Sequence, residues 1–237
     1  MPGARASYDR GMDIVIAGGH GQIALRLSRL LAARGDTVRS IIRDPGHAGD
    51  VGDTGARPVV CDLESADAAE VAGHLTGADA VVFAAGAGPG SGAARKDTVD
   101  RAASVLTADA AERAGVRGFL QISAMGAGEP PAPGRGEAWE AYIRAKGAAE
   151  DDLRHRDALD WLILRPGRLT DDPGTGLVRL EEPPIGRGAV TRDDVAAVIA
   201  ALLGARDVRR RTLDLLNGGT PIADAVASLR RPGGQEV

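Results

Sequence analysis

Residues 13–24 read Asp-Ile-Val-Ile-Ala-Gly-Gly-His-Gly-Gln-Ile-Ala. Asp13 to Ala17 is a short apolar run rich in β-branched residues, and it stops at Gly18-Gly19-His20-Gly21. From Gln22 the apolar residues Ile23, Leu27, Leu30 and Leu31 recur at helical spacing as far as Gly35. The passage predicts strand, glycine turn, helix. Glycine at such a turn lets the backbone approach a pyrophosphate, and the first turn of the helix supplies free N–H groups. Gly18, His20, Gly21, Gln22 and Ile23 are therefore candidate cofactor-binding residues, His20 for its backbone N–H rather than its ring. The third position of Gly18-x-x-Gly21-x-x-Ala24 is alanine, and a tight turn without a ligand is the competing reading.

The same alternation runs outward from this stretch. Strands are expected at Thr37–Ile42, Pro58–Cys61, Ala80–Ala85, Gly118–Ile122 and Asp160–Leu164, and helices at Ala66–Leu75, Asp97–Ala114 and about Gly136–His155. Continuous apolar strands between amphipathic helices are what a parallel sheet covered on both faces requires. The expected fold is α/β, a Rossmann-type doubly wound parallel sheet. After Arg165-Pro166-Gly167 the pattern thins through Pro173, Pro183, Pro184 and Gly188. Thr191 and Asp194 then form a capping box before a helix at Val195–Leu203, followed by a strand at Thr212–Leu216 and a helix at Ile222–Leu229. We expect one domain over 12–237, with 167–237 forming a small C-terminal cap on the substrate side and 1–11 a flexible extension.

Composition bounds the function. The chain has 237 residues, 43% hydrophobic and 26% charged, with a net charge of −4. That balance and only six aromatic residues argue against nucleic acid as a partner. No apolar stretch reaches the roughly 18 residues of a membrane span, so a cytoplasmic protein is expected. Cys61 is the single cysteine, and His20, His47, His74 and His155 have neither the i,i+4 spacing nor the cysteine company of a metal site. No disulfide and no metal are expected. Of 29 basic residues only Lys96 and Lys146 are lysine.

Arg43 ends the second strand, where a guanidinium pairs with a 2′-phosphate and an acid would select the ribose hydroxyl of NAD. NADP is thus preferred to NAD, against the alternative of a surface arginine. Asp62 and Leu63 follow the third strand, with the Asp62 carboxylate suited to accept from an adenine amino group. Ala84, Ala85 and Gly86 end the fourth strand with small residues beside a dinucleotide. Tyr142-Ile-Arg-Ala-Lys146 sets a phenol and an ammonium on one helix face, and a nearby ammonium lowers a phenol's pKa toward the working range. Ser123, ending the fifth strand, is placed to hold a substrate carbonyl or hydroxyl. Lys96 is read chiefly as a solvated loop lysine, and Trp139 as packing or pocket lining.

Gly18-x-x-Gly21-x-x-Ala24, Arg43, Asp62-Leu63, Ser123, Tyr142-x-x-x-Lys146 and Leu164-Arg165-Pro166-Gly167 together resemble the atypical, NmrA-like branch of the short-chain dehydrogenase/reductases. The likeness is greatest to small bacterial proteins classed as NAD(P)-dependent epimerases or dehydratases. It implies NADP as cofactor, Tyr142 as acid/base, Lys146 on the nicotinamide ribose, Ser123 orienting substrate, and Pro166 and Gly167 beside the cofactor. Asp100 stands where the superfamily usually has an active-site Asn. The implied partner is a small carbonyl or hydroxyl substrate, with the protein a monomer or homodimer. A non-catalytic NADP(H) sensor of NmrA type is the alternative, and a scaffold with a vestigial site a third.

Overall fold

The computed structural model describes residues 11–88, 90–130, 134 and 136–230. The expected extension lies outside the described residues except at Gly11. The chain runs β1 (Asp13–Ala17), α1 (Gln22–Ala33), β2 (Thr37–Ile42), α2 (Ala48–Gly52), β3 (Arg57–Val60), α3 (Ala68–Leu75) and β4 (Ala80–Phe83). Next come α4 (Ala93–Arg95), a π-helical stretch Lys96–Ala102, α5 (Ala103–Ala114), β5 (Gly118–Ile122), α6 (Glu137–Arg154) and β6 (Asp160–Pro166). The carboxyl part holds β7 (Arg168–Thr170), β8 (Leu177–Glu181), β9 (Ala189–Thr191), α7 (Arg192–Gly204), β10 (Arg211–Asn217), β11 (Thr220–Pro221) and α8 (Ile222–Ser228).

Nine strands form one sheet in the order β11-β8-β10-β6-β5-β4-β1-β2-β3. The pairs from β10 to β3 are all parallel, and β8 runs antiparallel to β10 and β11. Within β1 the reason is plain. Ile14 and Ile16 enter one core with Leu27 and Leu31 of α1 and Val195 and Ile199 of α7, whereas Val15 and Ala17 enter the other with Phe83, Val71 and Phe119. Successive strand residues point to opposite faces, so a strand covered on both sides needs an unbroken apolar run. The doubly wound α/β class expected from sequence is the observed one.

The differences lie where tertiary contacts outweigh pattern. β4 stops at Phe83, and the helix expected from Asp97 opens instead with the π-helical stretch that turns Lys96, Val99 and Asp100 inward. The Pro- and Gly-rich stretch contains β7, β8 and β9, with β7 and β9 pairing as a separate ribbon. The Thr191 hydroxyl does cap Asp194 N at 3.0 Å. The Asp194 carboxylate does not return the bond to the Thr191 amide, however, but takes those of Thr175 and Gly176 at 3.0 and 2.8 Å. The motif meant for one helix end thus also ties the turn before β8 to α7.

Candidate active site

The strand order reverses between β1 and β4, where doubly wound sheets bind ligands at the carboxyl ends of their strands. A cavity of about 660 Å3 opens there, lined by the turn after β1, the ends of β2 and β3, and Ala84–Ala87 after β4. The turn is held by Gly18 and Gly19 amides donating to Ile41 O at 3.2 and 2.8 Å, and by Gly21 N donating to Gly18 O at 3.0 Å. Gly18 has φ +83°, and a Cβ on it would stand 2.5 Å from Ala85 Cα. Only glycine lets this turn pack on the end of β4. Gly21 caps α1 with no side-chain hydrogen bond, leaving the first helical amides for a ligand.

Gly18, His20, Gly21, Arg43, Asp62, Leu63, Ala84, Ala85 and Gly86 all line the cavity. Gln22 and Ile23 begin α1 outside that lining, and outside it too are Pro166, whose O accepts from Met125 N, and Gly167, whose N donates to Leu215 O. His20 contributes more than a backbone amide: its ring stacks on His47 at 3.6 Å and its Nε2 lies 2.8 Å from Asp50. Arg43 Nη1 donates to Glu64 Oε2 at 2.9 Å, and the same carboxylate receives Arg95 at 2.6 Å and Thr98 Oγ1 at 2.8 Å. The Arg95 and Thr98 hydrogen bonds hold the Glu64 carboxyl below the usual range. Glu64 and Arg95 were not legible as site residues, because nothing in their local sequence announces a bridge across the cavity mouth.

The inner wall leads to the catalytic candidates. Ala87 N donates to Asp100 Oδ2 at 3.2 Å, and a Cβ on Gly86 would sit 3.2 Å from Asp100 Oδ1. Asp100 is 1% exposed, and its Oδ1 lies 3.2 Å from Lys146 Nζ as a close ion pair without an aligned hydrogen bond. Lys146 Nζ donates instead to Ile122 O at 3.1 Å and stands 5.9 Å from the Tyr142 ring. Lys96, far from being a solvated loop residue, is buried, donates to Gly88 O at 2.8 Å, and stands 5.3 Å from the same ring. Both lysines of the chain therefore flank one tyrosine. Gly147 makes this possible, since a Cβ there would meet Gly128 N at 2.5 Å and push α6 off the loop after β5.

Two expectations change. The Tyr142 phenol is pushed up, first by burial and then by the Asp100 carboxylate, rather than lowered by lysine. The physical reason is that Asp100 neutralises Lys146, and burial disfavours phenolate. Ser123 Oγ donates to Glu150 Oε1 at 2.5 Å, inside a buried cluster where Glu150 also receives Arg154 and Arg165. Its proton is thus committed to a carboxylate. Glu150 continues the four-residue spacing of Tyr142 and Lys146, a signal that was present in the sequence.

Strand order, glycine turn and cavity together define a Rossmann-type dinucleotide-binding domain. Residues 18–206 match the model of the NAD(P)H-binding family, and the chain belongs to that family. A Bacillus subtilis (strain 168) protein named "Uncharacterized sugar epimerase YhfK" is 33% identical over 219 residues, spanning 92% of this chain and all of that one. The structure described as "Putative NAD-dependent epimerase/dehydratase from Bacillus halodurans" is 32% identical, with TM-score 0.84 over 92% of this chain and all of its own. The oxidoreductase ylbE from Lactococcus lactis is 27% identical, with TM-score 0.81 over 92% and 96% of the two chains. No described helix is long and apolar enough to cross a membrane.

Proposed function

We propose that this protein is an NADP-dependent oxidoreductase, or an epimerase working by transient oxidation, on a small carbonyl or hydroxyl compound, with Tyr142 as proton donor. The observation that carries this reading is the continuity between the Gly86–Ala87 wall of the cavity and the Asp100–Lys146–Tyr142 cluster. Bound NADPH would supply a hydride at that end of the cleft. The residues supply the rest: the α1 amides and Gly18 turn receive pyrophosphate, Arg43 a 2′-phosphate, and Lys146 a ribose hydroxyl. The half-buried phenol of Tyr142, its pKa raised, stays protonated at neutral pH and is suited to protonate a developing alkoxide. Ser123 is given no direct part, since its hydroxyl is held by Glu150.

The NADP assignment has a direct test. Arg43 is exposed and, among the described residues, paired with Glu64, so a phosphate dianion can displace that carboxylate. Calorimetry on the intact protein should show NADPH binding about 10- to 100-fold tighter than NADH, a preference largely lost in Arg43→Ala. Equal affinities in the unaltered protein would remove NADP from the proposal.

The raised phenol also sets the sign of the pH dependence. Carbonyl reduction needs the phenol protonated, so its rate should be nearly flat between about pH 6 and 9. Alcohol oxidation needs phenolate and should climb with pH across the same range, since a raised pKa keeps the base form scarce until high pH. A reduction rate that falls steeply from pH 6 would assign the proton to another group. A dinucleotide sensor is the second reading, favoured by the prior pairing of Lys146 with Asp100.

A further inference from the structure

Beneath the adenosine end of the cavity, three side chains of different chemistry converge. Cys61 follows β3, and Glu70 and His74 stand four apart on one face of α3. One ligand atom from each, thiol sulfur, carboxylate oxygen and imidazole nitrogen, lies within 4.8 Å of the other two. The only hydrogen bond joining any two of these side chains among the described residues is a long one, Cys61 Sγ donating to Glu70 at 3.8 Å. The histidine's partners are a carboxylate on its own helix and a cysteine just after β3, an arrangement that no short stretch of sequence announces.

We propose that Cys61, Glu70 and His74 form a site for a zinc-like divalent cation, with a fourth position open to water. Tetrahedral zinc holds sulfur at about 2.3 Å and nitrogen or oxygen at about 2.0–2.2 Å, so its ligand atoms stand roughly 3.3–3.8 Å apart. Closing from 4.8 Å asks for side-chain rotation of an exposed glutamate and a half-buried histidine, with the backbone where it stands. A thiolate, an imidazole and one carboxylate favour zinc or cobalt over magnesium and calcium, which take oxygen ligands. On binding, the cysteine proton passes to solvent and the sulfur lone pair to the metal.

The surroundings suit such a site. Arg39 Nη1 donates to His74 O and its Nη2 to Thr76 O at 3.2 Å, fixing the last turn of α3 against β2. Cys61 also lines the dinucleotide cavity, so a bound cation would pin α3 to the end of β3 beside Asp62. The site stands on its own geometry and does not depend on the reading of Tyr142.

The test is titration of chelator-stripped protein with Zn2+ by calorimetry and with Co2+ by absorption. One equivalent of Zn2+ should bind, and Co2+ should show a near-ultraviolet thiolate charge-transfer band. Cys61→Ser should abolish the band, and His74→Ala and Glu70→Gln should each weaken Zn2+ binding at least tenfold. The two α3 substitutions fall on residues outside the core, so they keep the test valid if the buried Cys61 variant folds poorly. Absence of stoichiometric binding, or binding unchanged in both His74→Ala and Glu70→Gln, would overturn the proposal.

Discussion

Tyr142→Phe is expected to lower turnover by about 10²- to 10⁴-fold while leaving NADPH affinity within a few-fold. The ring makes the packing contacts, with Trp139 at 5.6 Å and the two lysines at 5.3 and 5.9 Å, and phenylalanine keeps all of them. Only the hydroxyl is lost. It is the neutral proton donor of the cluster, since Lys146 is held by Asp100 and Ser123 by Glu150, and the phenolate left by the transfer would stand beside the two lysine ammonium groups. The measurement is steady-state turnover with NADPH and a panel of small carbonyl compounds, alongside calorimetric NADPH binding. Turnover within threefold of the unaltered protein would exclude Tyr142 as the proton donor. Cofactor binding with no turnover by either protein would favour the sensor reading.

Glu150→Ala is expected to destabilise the fold by about 3–5 kcal/mol. Glu150 is fully buried and accepts from Ser123 at 2.5 Å, Arg154 at 2.6 Å, and Arg165 at 2.9 and 2.5 Å. Removing the carboxylate takes from the Arg165 guanidinium, whose side chain is 12% exposed, its closest counter-charge, leaving Ala127 O as its hydrogen-bond acceptor among the described residues and Asp214 and Glu129 as more distant charges. Breaking such a pair costs more than the pair contributes, because an uncompensated buried charge remains. For a chain of this size each kcal/mol moves Tm by about 2–4 °C, so a fall of roughly 6–20 °C should appear in thermal unfolding. Arg154→Ala is the control. That side chain is 33% exposed and water can replace its bonds, so a loss below about 1 kcal/mol is expected. A Tm within 2 °C of the unaltered protein for Glu150→Ala, a figure of about 1 kcal/mol, would show that the cluster is not what holds β5, α6 and β6 together.

The fold was legible because its signals are local. The apolar run Asp13–Ala17, the glycine turn and the helical spacing from Gln22 each depend on residues within a few positions of one another, and all three elements formed where expected. Boundaries slipped where a neighbour intervened, as at Phe83, where the chain leaves β4 for the cavity wall. The strands β7 to β9 were not legible, since short segments in a Pro- and Gly-rich stretch become strands only when an edge is there to pair with. Of the site, residues as far apart in sequence as Gly18, Arg43, Asp62 and Gly86 line one cavity because the ends of alternating parallel strands meet at the switch point.

The pairing of charges was decided elsewhere. By itself the sequence determined that Tyr142 and Lys146 share a helix face and that Gly18 must turn beside a strand end, because helix period and positive φ are properties of short stretches. Only the tertiary structure decided that Lys146 faces Asp100, that Ser123 gives its proton to Glu150, that Lys96 is buried over Tyr142, and that Cys61 stands against Glu70 and His74. A buried polar group takes whichever partner the packing of distant elements brings within about 3 Å, and desolvation makes that choice decisive.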